Sequence, residues 1–233
     1  TTGTIGYYFL TFIAVVLVTA LVMVAGNSEQ LRTEGRLDDP ASRESVFLLN
    51  NLLLTALTFT VIVGTLYPLV AEAMRGVKVS VGTPFFDRMS LPVLVLLLFL
   101  MGVGPALPWR RTPAGTLRPR LLNPLFGAIV ALAIVLLAGS RSPWALAAFA
   151  GIGYALTATL REFAVGTIAR RKAHGEGWLT ALGRLVIGNP RRHGGYIAHI
   201  GVFMVAIGIA ASGGSRVERE GTLRPGETLA VGN

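Results

Sequence analysis

The chain has 233 residues, of which 52% are hydrophobic and only 14% charged, with a mean hydropathy of +0.62. Charge depletion together with long apolar runs excludes an ordinary soluble domain and indicates an integral membrane protein. The net charge of +9 goes with no nucleic-acid-binding motif, so nucleic acid is not an expected partner, and the absence of cysteine excludes disulfides, thiolate catalysis, covalent haem attachment through CxxCH and cysteine metal sites.

Six segments qualify as membrane spans, at about 5–25, 46–70, 91–107, 121–138, 143–163 and 196–211. Each approaches the roughly 20 residues needed to cross a bilayer. Pro92 and Pro143 are expected in first turns, where proline is tolerated. Pro68 is expected to end or kink the second span. The fold class is therefore an all-α, polytopic membrane bundle over residues 1–212.

The loops alternate in charge. Those around 26–45, 108–120 and 161–195 hold 3, 4 and 7 basic residues, against 3, 1 and 3 in the loops at 71–89, 139–142 and 212–233. Basic loops stay in the cytoplasm, so both ends of the chain are expected outside it. The 26–45 loop is nearly neutralised by Glu29, Glu34, Asp38, Asp39 and Glu44, so the other two decide the orientation. The chain opens on "TTGTIGYYFLTF", with no basic n-region and no cleavage site, and closes on "GETLAVGN". It reads as part of a longer protein.

Three stretches between the spans carry further patterns. In residues 176–188, Trp178, Ala181, Leu182, Leu185 and Val186 share one helical face. This fits a short helix lying at the cytoplasmic membrane surface, with Trp178 as an interface anchor. In the 71–89 loop, Val77, Val79 and Val81 alternate with Lys78, Ser80 and Gly82, as in a short strand or extended segment, and Phe85 and Phe86 would rest in the outer interface. Residues 213–233 read as the start of a small extramembrane β domain, two strands about a Pro225-Gly226 turn.

Few residues could carry chemistry. His199 lies just inside the last span, toward the cytoplasmic face, where an ionisable side chain is expensive and invites a functional reading. A neutral imidazole is a common ligand of haem iron and other metals. Gly195, one turn earlier on the same face, would give a flat ligand room. Equally, His199 could hydrogen-bond a neighbouring helix, with the glycines serving helix packing. His193 at the membrane boundary reads as a solvated or headgroup contact, and His174 as solvated. Glu72 and Glu162 sit at helix ends, where carboxylates stay solvated or pair with arginine. Asn50 and Asn51 read as packing polarity or an interhelical hydrogen bond. No nucleophile-and-base pair and no phosphate-binding glycine loop is readable.

Five stretches, in order, carry a resemblance: "SRESVFLLNNLLL" (42–54), "GTLYPL" (64–69), "SVGTPFFDRM" (80–89), "MGVGPALPWRR" (101–111) and "GGYIAHIGVFMVAIGIAAS" (194–212). The chain resembles the C-terminal half of the CcmF-type cytochrome c haem lyases. The resemblance implies a membrane protein that takes haem from a periplasmic haem-carrying chaperone. It would join that haem by thioether bonds to the CxxCH thiols of apocytochrome c, beside thiol-handling partner proteins and within membrane lipid. It also implies an intramembrane b-type haem held between two helix histidines. His199 matches one axial ligand, and so would be the residue on the haem iron. The family's tryptophan-rich external segment, its two flanking histidines and its second intramembrane histidine have no counterpart here, since Trp109, Trp144 and Trp178 are scattered. By the resemblance these would precede residue 1. Two other readings compete. One is a transporter or permease portion, which would need a polar midplane site. The other is a non-catalytic scaffold that docks partners.

Overall fold

The computed structural model describes residues 3–31, 42–76, 79–107 and 114–215. Among these the regular structure is wholly helical: α1 (Gly3–Gly26), α2 (Ser28–Leu31), α3 (Arg43–Arg75), α4 (Thr83–Ala106), α5 (Ala114–Leu122), α6 (Leu125–Leu137), α7 (Pro143–His174), α8 (Trp178–Gly188) and α9 (Pro190–Ser215). Six helical stretches are long and apolar enough to cross a membrane: Gly6–Gly26, Arg43–Arg75, Thr83–Ala106, Leu117–Leu137, Pro143–His174 and Pro190–Gly213. The protein is a multi-pass, all-α membrane protein.

Several helix ends depart from the sequence expectation. Pro68 does not end α3, which runs on to Arg75. Pro92 lies inside α4 rather than in its first turn, because α4 begins at Thr83 and takes in Phe85 and Phe86. Conversely, the fourth span is broken by a turn at Asn123-Pro124, between α5 and α6. The physical reason is common to the extended helices. Hydropathy marks where the lipid stops, whereas the helical ladder continues into water wherever its residues allow it. Residues 79–82 form no strand. No strand occurs among the described residues, and nothing in them supports the extramembrane β domain: Gly213–Ser215 continue α9, and 216–233 lie outside the described residues, as do Val77 and Lys78.

The chain divides into two compact units. The first holds α1, α2, α3 from Leu48 and α4 as far as Val93. Within it α3 and α4 meet at Gly64, where a Cβ would come within 2.6 Å of the Phe86 ring. Phe85 and Phe86 stack edge to face at 5.3 Å.

The second unit holds the rest and is organised by α7, which packs against α6, α8 and α9. With lipid outside, water gives no drive to bury apolar area, and close van der Waals fit between small residues takes its place. A Cβ on Gly102 of α4 would lie 2.7 Å from the Ala155 Cα and from the Tyr154 ring. A Cβ on Gly153 of α7 would collide with the Gly127 carbonyl of α6. Phe203 of α9, only 1% exposed, joins Leu98, Ile152 and Ala155 in the core of this unit.

Candidate functional site

A polar cluster is built at two corners, the α7–α8 turn and the entry of α9. Helix α7 ends where Gly175 takes a left-handed conformation, φ 64°, that favours glycine, and its N–H donates to the Arg171 carbonyl at 2.9 Å. The chain returns at once into α8. Glu176, in the turn, accepts from Arg170 Nε at 2.9 Å and from Arg184 Nη1 at 2.7 Å, so one carboxylate clips both helices. The Arg170 hydrogen bond, with Arg184 second, holds its carboxyl below the ordinary carboxylate range. The Arg171 guanidinium lies 5.5 Å over the Trp178 ring. Ala181 is fully buried and Leu185 lies against Gly166 of α7, while Leu179 and Ile187 on the other side are about four-fifths exposed.

Asn189 separates α8 from α9. Its side-chain oxygen accepts from the Arg192 N–H at 3.3 Å, and Pro190 takes the first helical position, where a missing N–H costs nothing. The first turn of α9 then locks onto α7. Arg192 donates to Glu162 at 2.8 Å and to the Tyr196 hydroxyl at 3.2 Å. Phe163 of α7 lies 5.6 Å from the His193 ring and 5.8 Å from that of Tyr196.

His193 is therefore not the solvated or headgroup group that its arginine neighbours suggest. It is buried, 5% exposed, and its Nδ1 donates to the Asn189 carbonyl at 3.0 Å. The sequence missed this because its partners come from α7, thirty residues away. Glu162 pairs with arginine as one of its two expected states, and Arg192 is the close partner, with Arg161 at 3.7 Å. His174 is exposed, with Nδ1 against the Arg170 carbonyl at 3.2 Å.

His199 differs from both. The other two histidines each engage the carbonyl four residues back; His199 Nδ1 is buried with no hydrogen-bond partner among the described residues. Such an atom costs about 1–3 kcal/mol when left unpaired, so the imidazole has a demand these helices do not meet. The side chain is half-buried, 6.3 Å from Phe203 between ring centroids. One turn earlier, a Cβ on Gly194 or Gly195 would meet nothing within 4 Å, so that face of the helix is open. No group of three or more His, Cys, Asp or Glu that could hold a bare metal ion occurs among the described residues. A single imidazole beside an open glycine face suits a ligand that brings most of its own coordination, as a porphyrin does.

The chain is 32% identical over 97% of its length to the cytochrome c-type biogenesis protein CcmF of Haemophilus influenzae. It is 34% identical over its full length to the cytochrome c-type biogenesis protein CycK of Rhizobium meliloti. The chain belongs to the CcmF-type cytochrome c biogenesis family. CcmF of Escherichia coli is 29% identical over 97% of the chain. The chain spans about a third of the length of these curated relatives, 34%, 34% and 33% respectively, and matches their C-terminal portion. No protein-family model matches the chain, and no solved structure matches it significantly.

Proposed function

We propose that this chain is part of a membrane haem lyase that acts in cytochrome c maturation, attaching haem to the CxxCH thiols of apocytochrome c, and that its own contribution is one axial histidine, His199, to an intramembrane b-type haem. The supporting observation is the buried, unpartnered Nδ1 of His199 beside the open face at Gly195. The relatives named for cytochrome c-type biogenesis support the setting.

The residues of this chain do four things in that reading. His199 supplies the ligand nitrogen, and Gly195 leaves room for a flat ring. Phe203 closes the core one turn beyond. Arg192, Glu162 and Tyr196 hold the helix that carries the imidazole. A haem bound there would supply one-electron redox chemistry. By the resemblance, a second ligand and the segment that holds the haem to be attached would come from residues outside this chain. The partners are then a haem-carrying periplasmic chaperone and apocytochrome c with its thiol-handling proteins. The place is the bacterial inner membrane, with the basic loops and α8 on the cytoplasmic side.

The test is haem content. The unaltered protein is expected to co-purify with b-type haem, and His199→Ala to insert normally and to lose it. Retained haem in that variant rejects the ligand assignment.

A further inference from the structure

The Glu162–Arg192 pair joins two helices without touching anything that reacts, and it lies on the same line of α9 as His199. At about 100° per residue, Arg192, Tyr196, His199 and Phe203 fall within about 60° of one another around the helix. Arg192 is fixed to α7 through Glu162 at 2.8 Å, and Phe203 is fixed in the core beside Ile152 and Ala155 of the same helix. His199 lies between these two anchors, about 10 Å from the first along the axis.

We infer that Glu162 and Arg192 are positioning residues for His199: their ion pair sets the rotation of α9, and with it the direction in which the imidazole is presented. The inference rests on the haem-ligand reading for its functional meaning, but the geometry it describes can be measured without haem. The lever arm is long. An imidazole nitrogen sits roughly 6 Å from the helix axis, so a 20° rotation moves it about 2 Å, against a tolerance of roughly 0.5 Å for a working site. The stability at stake is small by comparison. Arg192 is half-exposed, and pairs of this kind contribute little to stability. Losing the pair should therefore disturb aim more than folding. Tyr196 supports the same arrangement, since its hydroxyl accepts from Arg192 and its ring lies below the guanidinium at 5.8 Å.

The test uses Arg192→Ala, Glu162→Gln and the charge-reversed double variant Glu162→Arg with Arg192→Glu, each in the complete membrane-inserted protein. A nitroxide on His199→Cys reports the setting of position 199, since this chain has no other cysteine and any in the rest of the protein is replaced by serine. One half-immobilised component is expected with the pair intact, a second and more mobile one in Arg192→Ala, and a return to one component in the double variant. In the protein that keeps His199, Arg192→Ala is expected to weaken haem retention about 10-fold or more, as loss of a ligand's supporting partner does, and to shift the low-spin g-values, with recovery in the double variant. An unchanged nitroxide spectrum in Arg192→Ala overturns the inference, and so do unchanged haem retention and g-values. If the nitroxide responds and the unaltered protein holds no haem, the positioning role stands and the haem reading falls.

Discussion

Gly153 of α7 faces Gly127 of α6 so closely that a Cβ on the first would strike the carbonyl of the second. Contact at that range is possible only without side chains, and it brings Thr157 against Gly127 as well. Since α7 also carries α8 and α9, the seam with α6 underlies the placing of the whole second unit. Gly153→Val is expected to overpack it and destabilise the unit by about 1–3 kcal/mol. Thermal unfolding in detergent should show a lower midpoint than for Gly183→Ala, whose Cβ meets open space. Equal midpoints would mean that the seam is not tight.

The two histidines of α9 should separate cleanly. His193 is buried, packed against Phe163 and Tyr196 and hydrogen-bonded to Asn189. His193→Ala is expected to cost about 1–3 kcal/mol through the emptied space and the lost hydrogen bond, and to leave the haem bands in place. Loss of haem with unaltered stability in this variant would exchange the roles of the two residues.

Gly195 offers a steric test. The space beside it is empty of protein, so Gly195→Leu should not strain the chain, and replacing a helix glycine should favour the helix slightly. Haem content is nevertheless expected to fall severalfold, because the new side chain fills the face beside His199. A variant that is stable and fully loaded would remove Gly195 from the site.

The α7–α8 clip should respond to acid. The Glu176 carboxyl is held below its ordinary value, 4.5, chiefly by the Arg170 hydrogen bond. A depressed carboxylate contributes stability that is present above the unfolded value and lost as pH falls through the folded one. A nitroxide on Gly183→Cys is therefore expected to stay unchanged from neutral pH down to about 4.5 and to gain mobility below it. In Glu176→Gln it should be mobile throughout. A pH-independent signal in the unaltered background would show that packing of Ala181 and Leu185 alone holds α8.

The spans were legible because lipid demands about 20 apolar residues in a row, and no other feature of a sequence is so long or so plain. Their ends were not, since the fall in hydropathy after Phe163 ends the apolar span but not the helix, and α7 runs to His174. His193 was hidden by its neighbours: Arg191 and Arg192 mark a wet boundary, whereas Phe163 and Glu162, which bury and brace this corner, are tertiary partners. The alternating residues up to Gly82 suggested extended chain and gave no sign that α4 begins at Thr83, with Phe85 and Phe86 in its first turn. His199 drew notice for its place in an apolar run, but its missing hydrogen bond, against the satisfied His174 and His193, is a fact of the folded chain alone.

The most direct test of the central claim is imidazole rescue. His199→Gly, purified from membranes, should lack the reduced b-type absorbance bands of the unaltered protein, and added imidazole should bring them back by filling the vacated axial position. Bands that persist in His199→Gly before imidazole is added would contradict the assignment of His199 as an iron ligand.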